Sequence, residues 1–226
     1  MEPDQIRRAW LRQSLFLPIF FALLFAPAGT LHDWQGWVYG ILFIATSIGI
    51  GVYLLKKDPK AVARRMEIGP GAEQEPAQKI IITLVLIGFV ALIVLPGLDR
   101  RWHWSSVPVW LVLAADLLVV LGLLGTAVVV KQNSYAASTI RVEADQPVVS
   151  TGLYAIVRHP MYSAALLILV FTPLALGSYW ALLLVIPLVG LLAWRLLDEE
   201  RFLIRNLPGY AAYRERTRYR LIPWVW

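Results

Sequence analysis

Arg158, His159 and Pro160 bring a guanidinium, an imidazole and a proline together at the start of a long apolar run. Pro160 can occupy the first position of a helix, because its missing N–H costs nothing there. Arg158 and His159 then lie at a helix N-terminus, where backbone donors and the helix dipole favour an anion. These residues therefore suit a ligand carboxylate. The alternative is that Arg158 is a cation that sets membrane topology and His159 a structural histidine.

Three successive acids, Asp198, Glu199 and Glu200, form the second group that could do chemistry, and they follow the last apolar run. On a helix, successive residues point about 100° apart, so at most two of the three can face one ligand. Arg195 precedes Glu199 by four positions, and we expect the two side chains to pair and to orient Glu199. Taken alone, such a run is more typical of a solvated helix face.

The elements that must position these residues are membrane helices. The 226 residues are 58% hydrophobic and 16% charged, with a mean hydropathy of +0.63, which is too apolar for a soluble domain. A helix needs roughly 18 to 20 apolar residues to cross the hydrocarbon core of a bilayer. Four runs are near or beyond this length, at 13–29, 34–55, 79–98 and 107–130, and two shorter ones follow at 161–176 and 179–194.

The predicted fold class is all-α, a polytopic membrane helical bundle. We expect about five to six membrane segments, with a C-terminal helical hairpin and a cytoplasmic cofactor pocket. A single integral membrane domain is predicted over 1–226. Within it, 1–130 holds four membrane helices, and 131–226 holds a cofactor-binding loop, the hairpin and a cytoplasmic tail.

The basic residues predict the topology of this bundle. Of the 21 lysines and arginines, only Arg100 and Arg101 fall on the far side if all six runs cross or dip into the membrane. Both termini are therefore predicted to be cytoplasmic, and the last two runs to form a hairpin that turns at 174–180. Such a hairpin places the residue before its first arm beside the residues after its second arm. His159 and Glu199 are predicted neighbours for this reason.

The absence of cysteine excludes disulfides, thiolate nucleophiles and Cys-ligated metals, so chemistry must use oxygen and nitrogen groups. The net charge of +6 is explained by cations at helix ends, and we expect neither a nucleic-acid partner nor a metal. The N-terminus lacks a small-residue cleavage site after the first apolar run. That run is expected to remain as a membrane helix.

Three further segments carry structural expectations. The loop 56–79 begins basic and amphipathic and continues with glycine, proline and glutamate, which predicts a surface helix followed by an irregular loop. The segment 97–105 carries Asp99, two arginines and two tryptophans and is interpreted as an interfacial cap. Asp116 lies inside the fourth run, and such acids usually face the bundle interior and pair with another group.

The sequence Arg158-His159-Pro160-Met161-Tyr162, followed by a hairpin and the pair Glu199-Glu200, resembles the signature of isoprenylcysteine carboxyl methyltransferases and related bacterial phospholipid methyltransferases. The flanking stretches VVSTGLYAIVRHPMYSA, LALGSYWALL and PGYAAYRERTRYRLIPWVW are similar to that family as well. The resemblance is therefore dense over 131–226. Ala164 departs from the pattern, because the family usually has glycine at this position.

This resemblance implies a membrane methyltransferase that uses S-adenosylmethionine and releases S-adenosylhomocysteine. It implies that Arg158 and His159 bind the carboxylate end of the donor. Glu199 and Glu200 would bind its ammonium group or ribose, with Tyr154 and Tyr162 lining the pocket. Glu199 and Arg158 are the expected catalytic residues. A carboxylate acceptor would need no base, because it is ionised near neutral pH. An amine acceptor would need one, and Glu199, Glu200 and His159 are the candidates.

The acceptor implied by the resemblance is lipidic or prenylated, carries a carboxylate or an amine, and enters from the bilayer, with the active site on the cytoplasmic side of a bacterial inner membrane. Asn133 and Arg141 are candidates for contacting this substrate. The turn 208–210 and Tyr213 are expected to fold the tail over the cytoplasmic mouth of the pocket.

Two alternatives stay open at this point. A membrane enone or sterol reductase would bind NADPH and would need more basic groups, because NADPH carries additional phosphates. A scaffold or transporter with the same fold would bind no nucleotide tightly. The loop 131–160 offers only Lys131, Arg141 and Arg158 for phosphates, which favours the phosphate-free donor.

Overall fold

The structure is a computed structural model that describes the backbone of residues 3–66, 68–73 and 75–226, and the side chains in these ranges from residue 16 onward. The regular structure within these ranges is helical, apart from one isolated bridge between Val157 and Tyr219. The helices are α1 (Pro3–Ala28), α2 (Trp34–Lys57), α3 (Pro59–Met66), α4 (Pro76–Trp102), α5 (Val109–Gln132), α6 (Pro160–Ala175), α7 (Leu182–Asn206) and α8 (Tyr210–Arg216). The predicted all-α class is confirmed.

Each of the six apolar runs corresponds to a helix, namely α1, α2, α4, α5, α6 and α7. Among the described residues, three helices, α2, α4 and α5, are long and apolar enough to cross a membrane. The apolar part of α1 that the structure describes, Phe16–Ala28, and the 16-residue α6 are shorter. These helices identify an integral membrane protein. The predicted surface helix of the second loop is α3, and a 3-10 turn at Pro70–Ala72 follows it.

The core is built where α1, α2, α4, α5 and α6 meet. Phe20 is almost fully buried there, and its ring lies 5.4 Å from that of Phe43 and 6.4 Å from that of Tyr39. Aromatic rings at this spacing add favourable contacts beyond the burial of their apolar area. This apolar core fixes the helices from which the polar loops of the protein extend.

Asp116 lies in this core and is 3% exposed, so the expectation that it faces the bundle interior is confirmed. The expectation that it pairs is wrong, because neither of its carboxylate oxygens has a hydrogen-bond partner among the described residues. Its buried neighbours on α5, including Ala115 and Val119, are apolar. The hydroxyl groups of Tyr39 and Thr172, elsewhere in the core, bond to each other at 3.1 Å.

The hairpin of α6 and α7 has the predicted form. Gly177 has a φ of +76°, a conformation that glycine adopts without strain, and it reverses the chain between the two helices. Buried side chains late in α7, Leu192 and Leu196, pack against Tyr162 and Ala165 early in α6. The first turn of α6 and the last turns of α7 therefore lie side by side.

Asp99 holds the turn of this hairpin in place. Its carboxylate accepts hydrogen bonds from the backbone N–H of Ser105 at 2.7 Å and from the hydroxyl of Ser178. Ser178 Oγ in turn accepts a hydrogen bond from the N–H of Ala181 at 3.1 Å. The segment 97–105 is thus a structural cap, which ties the end of α4 to the connection between α6 and α7.

Gly122 allows α5 and α6 to approach closely. A methyl group added there would lie 2.8 Å from Cγ1 of Ile168 and 3.0 Å from the carbonyl oxygen of Ala164. Ala164 itself faces Gly125 in the same interface. The methyl group of Ala164, at the position where the family usually has glycine, therefore packs between helices, and Ala164 does not line the polar cavity described below.

The substitution Gly122→Ala is expected to destabilise the protein by about 1–3 kcal/mol, because the new methyl group overpacks the contact of α5 with α6. The matched control is Gly51→Ala in α2, where an added methyl group meets nothing within 4 Å. We expect Gly51→Ala to equal or exceed the wild type in thermal stability, since alanine is the better helix former. Thermal unfolding in detergent measures both variants. Equal midpoints for the two would contradict the close packing at Gly122.

Candidate functional site

A polar cavity of about 280 Å³ lies at the base of the hairpin, between the loop 133–149 and the adjoining ends of α6 and α7. This volume is near the lower end of the usual range for small-molecule pockets. Seven of the eight residues predicted from the sequence line it, namely Asn133, Arg141, Tyr154, Arg158, His159, Tyr162 and Glu199. Glu200 is the exception and is not among the lining residues. Residues separated by up to 66 positions thus come together at one site.

The register of the hairpin brings Tyr162 and Glu199 into direct contact. The Tyr162 hydroxyl, on the first turn of α6, donates a hydrogen bond to the Glu199 carboxylate on α7. Glu199 is the one acidic side chain among the described residues that line the cavity. A ligand in the cavity that carries positive charge or hydroxyl groups would find its carboxylate acceptor here.

Tyr154 lies on the short 3-10 helix Gly152–Ala155, on another wall of the cavity. The side-chain amide of Asn133 donates a hydrogen bond to its hydroxyl oxygen at 3.2 Å. Burial raises the pKa of Tyr154 to about 12. The Tyr154 hydroxyl therefore stays protonated near neutral pH and can serve as a hydrogen-bond donor.

Glu200 lies behind the cavity at the centre of a buried ionic cluster. Its Oε1 atom lies 3.1 Å from Arg158 Nε and 3.4 Å from His159 Nε2, and its Oε2 atom accepts a hydrogen bond from Arg220 Nε at 3.0 Å. Burial raises the pKa of Glu200. The hydrogen bonds from His159 and Arg220 and the charge of Arg158 lower this pKa by more than burial raises it, so that it falls to about 2. Glu200 is therefore a permanent anion near neutral pH and a poor proton acceptor.

The sequence predicted that Glu199 is the neighbour of His159. The carboxylate beside His159 is instead that of the next residue, Glu200. The hairpin places both acids near the start of α6, but successive residues on α7 point about 100° apart. Glu200 consequently points towards Arg158 and His159, while Glu199 points into the cavity. The expected role of Glu200 in contacting the donor does not fit its position behind the wall.

The C-terminal tail closes one side of the site. The backbone N–H groups of Arg158 and His159 donate to the carbonyl oxygens of Tyr219 and Arg220 at 2.8 and 3.0 Å. Gly209, with a φ of +86°, turns the chain into α8.

From α8, Tyr210 and Tyr213 reach the cavity wall, as expected from the sequence. The Tyr213 hydroxyl donates a hydrogen bond to the carbonyl oxygen of Tyr154 at 2.7 Å. This contact joins the C-terminal tail directly to the 3-10 helix Gly152–Ala155, which precedes the signature in the chain.

Arg195 has partners that the sequence did not indicate. Its guanidinium donates hydrogen bonds to Glu73 Oε1 at 2.7 Å, to Gln78 Oε1 at 2.9 Å and to the carbonyl oxygen of Ser138 at 2.9 Å. The predicted pairing of Arg195 with Glu199 is therefore replaced by contacts with the second loop and the start of α4. Glu73 also accepts a hydrogen bond from the N–H of Ile140 at 3.3 Å, and this bond holds the loop that lines the cavity.

Helix α3 is the second contributor that the sequence did not identify. Arg64 makes two hydrogen bonds of 2.8 Å to the Glu143 carboxylate, which fastens α3 to the loop 133–149. Arg65 donates to the carbonyl oxygen of Ala136 at 3.2 Å and lines the cavity. From the sequence alone, these arginines are interpreted as cations that set the membrane topology. No sequence pattern near them indicates that they contact the loop 133–149.

Several polar atoms at the cavity wall lack a partner within the protein. Thr139 Oγ1 and the Tyr210 hydroxyl are buried without a hydrogen bond among the described residues, although both side chains line the cavity. Arg158 Nε is close to Glu200 but is not aligned for a hydrogen bond with it. Buried polar groups are usually satisfied. A polar ligand with hydroxyl and carboxylate groups would satisfy these three.

Within the described ranges, no group of three or more histidine, aspartate or glutamate side chains is arranged to hold a metal ion. The polar groups of the cavity include arginines, tyrosines and a single carboxylate, which suit an organic ligand with mixed charge.

Residues 110–208 match the family model described as phospholipid methyltransferase. This stretch runs from the first turn of α5 to the second residue after α7 and contains each of the predicted site residues. The match confirms the resemblance found in the sequence and supports a membrane methyltransferase. A search of curated protein sequences gives no significant match to the chain.

Proposed function

Because residues 110–208 match the phospholipid methyltransferase family model, we propose that the protein transfers a methyl group from S-adenosylmethionine to a lipidic acceptor at the membrane surface. The observation that carries the proposal is the cavity at the hairpin base, where Glu199, Tyr162, Tyr154 and Arg158 converge. The carboxylate of the acceptor, or an amine in its place, would receive the methyl group.

The lining residues fit the donor in charge and in hydrogen bonding. The bound donor would supply an electrophilic methyl group on a sulfonium centre. Glu199 would accept hydrogen bonds from the donor's ammonium group or ribose, and the guanidinium of Arg158 would donate to its carboxylate. The hydroxyl groups of Thr139 and Tyr210 remain for its other polar atoms.

The protein's main contribution to such a reaction is alignment of the two reactants. Holding a nucleophile in line with the methyl group and excluding competing geometries can supply several kcal/mol of rate enhancement. A carboxylate acceptor is already ionised near neutral pH and needs no base. An amine acceptor would have to lose a proton, and Glu199 is the carboxylate that the cavity offers for this step.

A route for a lipidic acceptor is supported by a second, mostly apolar groove between α2 and α5. It is open to the outside and is lined by residues that include Gly49, Ile50, Val120 and Leu124. An apolar chain in this groove would stay in contact with the bilayer. The polar donor would reach the cavity from the cytoplasmic side, a division of access that explains why the enzyme is embedded in the membrane.

The proposal is tested by following the methyl group. Purified protein in vesicles made from a total bacterial lipid extract is incubated with donor labelled with tritium in the methyl group, and radioactivity is counted in the organic phase. Transfer into extractable lipid supports the proposal. Loss of NADPH absorbance with an enone lipid, without methyl transfer, would contradict the proposal and support the reductase alternative. The reductase alternative needs this test because Arg65 and Arg195 also line the cavity, in addition to the cations of the loop 131–160 that could bind phosphates.

A further inference from the structure

Four arginines line the cavity, and the protein itself supplies a carboxylate for three of them. The pairs are Arg141 with Glu143 at 3.6 Å, Arg158 with Glu200 at 3.1 Å and Arg195 with Glu73 at 2.7 Å. Arg65 is the fourth, and no carboxylate of the described residues lies within 4.0 Å of its guanidinium. Among the described residues, its positive charge therefore has no carboxylate that balances it.

The environment of Arg65 makes such an imbalance costly. The side chain is partly buried, and its guanidinium has a carbonyl oxygen, that of Ala136, and the sulfur of Met161 as contacts at 3.2 and 3.9 Å. Burial lowers the pKa of Arg65, because little nearby compensates for the lost solvation. A buried charge is normally paired, so a negative group on a ligand would stabilise this one.

Arg65 lies on the side of the cavity that faces the apolar groove between α2 and α5. Its helix α3 packs through Ala61 against Leu54 of α2 and Val130 of α5, with Ile50 and Met161 at the edge of the same cluster. Ile50 also lines the groove, and Met161 also lines the cavity. The helix that carries Arg65 therefore packs on an apolar cluster whose edge residues line both spaces. A lipid whose chain occupies the groove would bring its polar end to this point.

We propose that Arg65 binds the anionic group of the lipidic acceptor and so selects acceptors that carry a carboxylate or a phosphate beside the apolar chain. This inference rests on the proposed methyltransferase function and assigns to it a specificity-determining residue on α3. Arg158, whose charge is already balanced by Glu200, and the neighbouring His159 remain with the donor. The two ends of the cavity would thus recognise different substrates.

The test uses Arg65→Gln, which removes the charge, and Arg65→Lys, which retains it. Lys60→Gln is the matched control, because Lys60 is an exposed cation on the same helix. Two radiolabelled probes, an S-prenylated N-acetylcysteine and a lysophosphatidylethanolamine, are bound to detergent-purified protein without donor, and S-adenosylhomocysteine is titrated separately. The first probe presents a carboxylate and the second a phosphate with an amine, so the two sources of negative charge are distinguished.

We expect Arg65→Gln to weaken the probe that the wild type binds by at least about tenfold and to leave S-adenosylhomocysteine affinity within about twofold. Arg65→Lys should retain most of the binding, and Lys60→Gln all of it. Weaker S-adenosylhomocysteine binding with unchanged probe binding would overturn the inference and assign Arg65 to the donor. Unchanged affinities throughout, or a wild type that binds neither probe, would also overturn it. Probe binding that depends on Arg65 in a protein without affinity for S-adenosylhomocysteine would uphold the anion site and reject the methyltransferase.

Discussion

Glu199→Gln is expected to raise the KM for the methyl donor by about 10- to 100-fold while the midpoint of thermal unfolding stays the same. Glu199 is the one carboxylate that the described cavity wall presents, and a hydrogen bond to a charged group contributes about 1.5–3 kcal/mol. Glutamine has the same size and can still accept the hydrogen bond from the Tyr162 hydroxyl. The fold should therefore survive the loss of charge.

The control for this variant is Glu215→Gln, which makes the same chemical change at an exposed position on α8. Initial rates with the tritium-labelled donor, measured over a range of donor concentrations, give KM and kcat for both variants. A Glu199→Gln enzyme with the donor KM of the wild type would show that this carboxylate does not contact the donor. A lowered unfolding midpoint would indicate a structural role instead.

Glu200→Gln is expected to destabilise the protein by about 3–5 kcal/mol, which corresponds to a midpoint lower by roughly 6–20 °C. The substitution leaves Arg158 and Arg220 without the carboxylate that balances them, and the cost of leaving a buried charge unpaired exceeds that of losing a hydrogen bond. The residues around Arg220 should also detach from the start of α6. Thermal unfolding and limited proteolysis of the C-terminal tail measure the two effects.

The double variant Glu200→Gln with Arg220→Gln serves as the control, because it removes one of the unpaired cations and should recover part of the stability. The pKa of Glu200 lies below its ordinary value of 4.5, so its contribution to stability is complete above that pH and is lost as the pH falls towards 2. The cost of Glu200→Gln should therefore be equal at about pH 6 and about pH 8. A variant as stable as the wild type would contradict the buried cluster.

The sequence predicted the six apolar helices well, because each of them contains an apolar run whose ends are marked by charges, prolines or glycines. The distribution of arginines predicted the hairpin, and a hairpin necessarily brings 158–162 close to 195–200. Asp116 shows the limit of this reasoning. Whether an acid inside an apolar helix finds a partner depends on side chains of other helices, which periodicity does not specify.

The sequence predicted most of the residues that line the candidate site, but it did not predict which of them contact each other. Seven lining residues come from the signature and its surroundings, but the carboxylate beside His159 is shifted by one position, since sequence does not fix the rotation of α7 about its axis. Glu73, Gln78 and Arg65 reach the site from segments that are 60 or more positions away from the signature. Their contacts depend on tertiary packing, so composition and spacing gave no signal for them.

The central claim is that the cavity at the hairpin base binds a methyl donor, and calorimetric titration of the detergent-purified wild-type protein tests it most directly. S-adenosylhomocysteine is titrated in one experiment and NADPH in a second, each repeated with Glu199→Gln and Glu215→Gln. We predict saturable binding of S-adenosylhomocysteine that Glu199→Gln weakens and Glu215→Gln does not, with no binding of NADPH. Saturable binding of NADPH, or binding of neither compound, would contradict the claim.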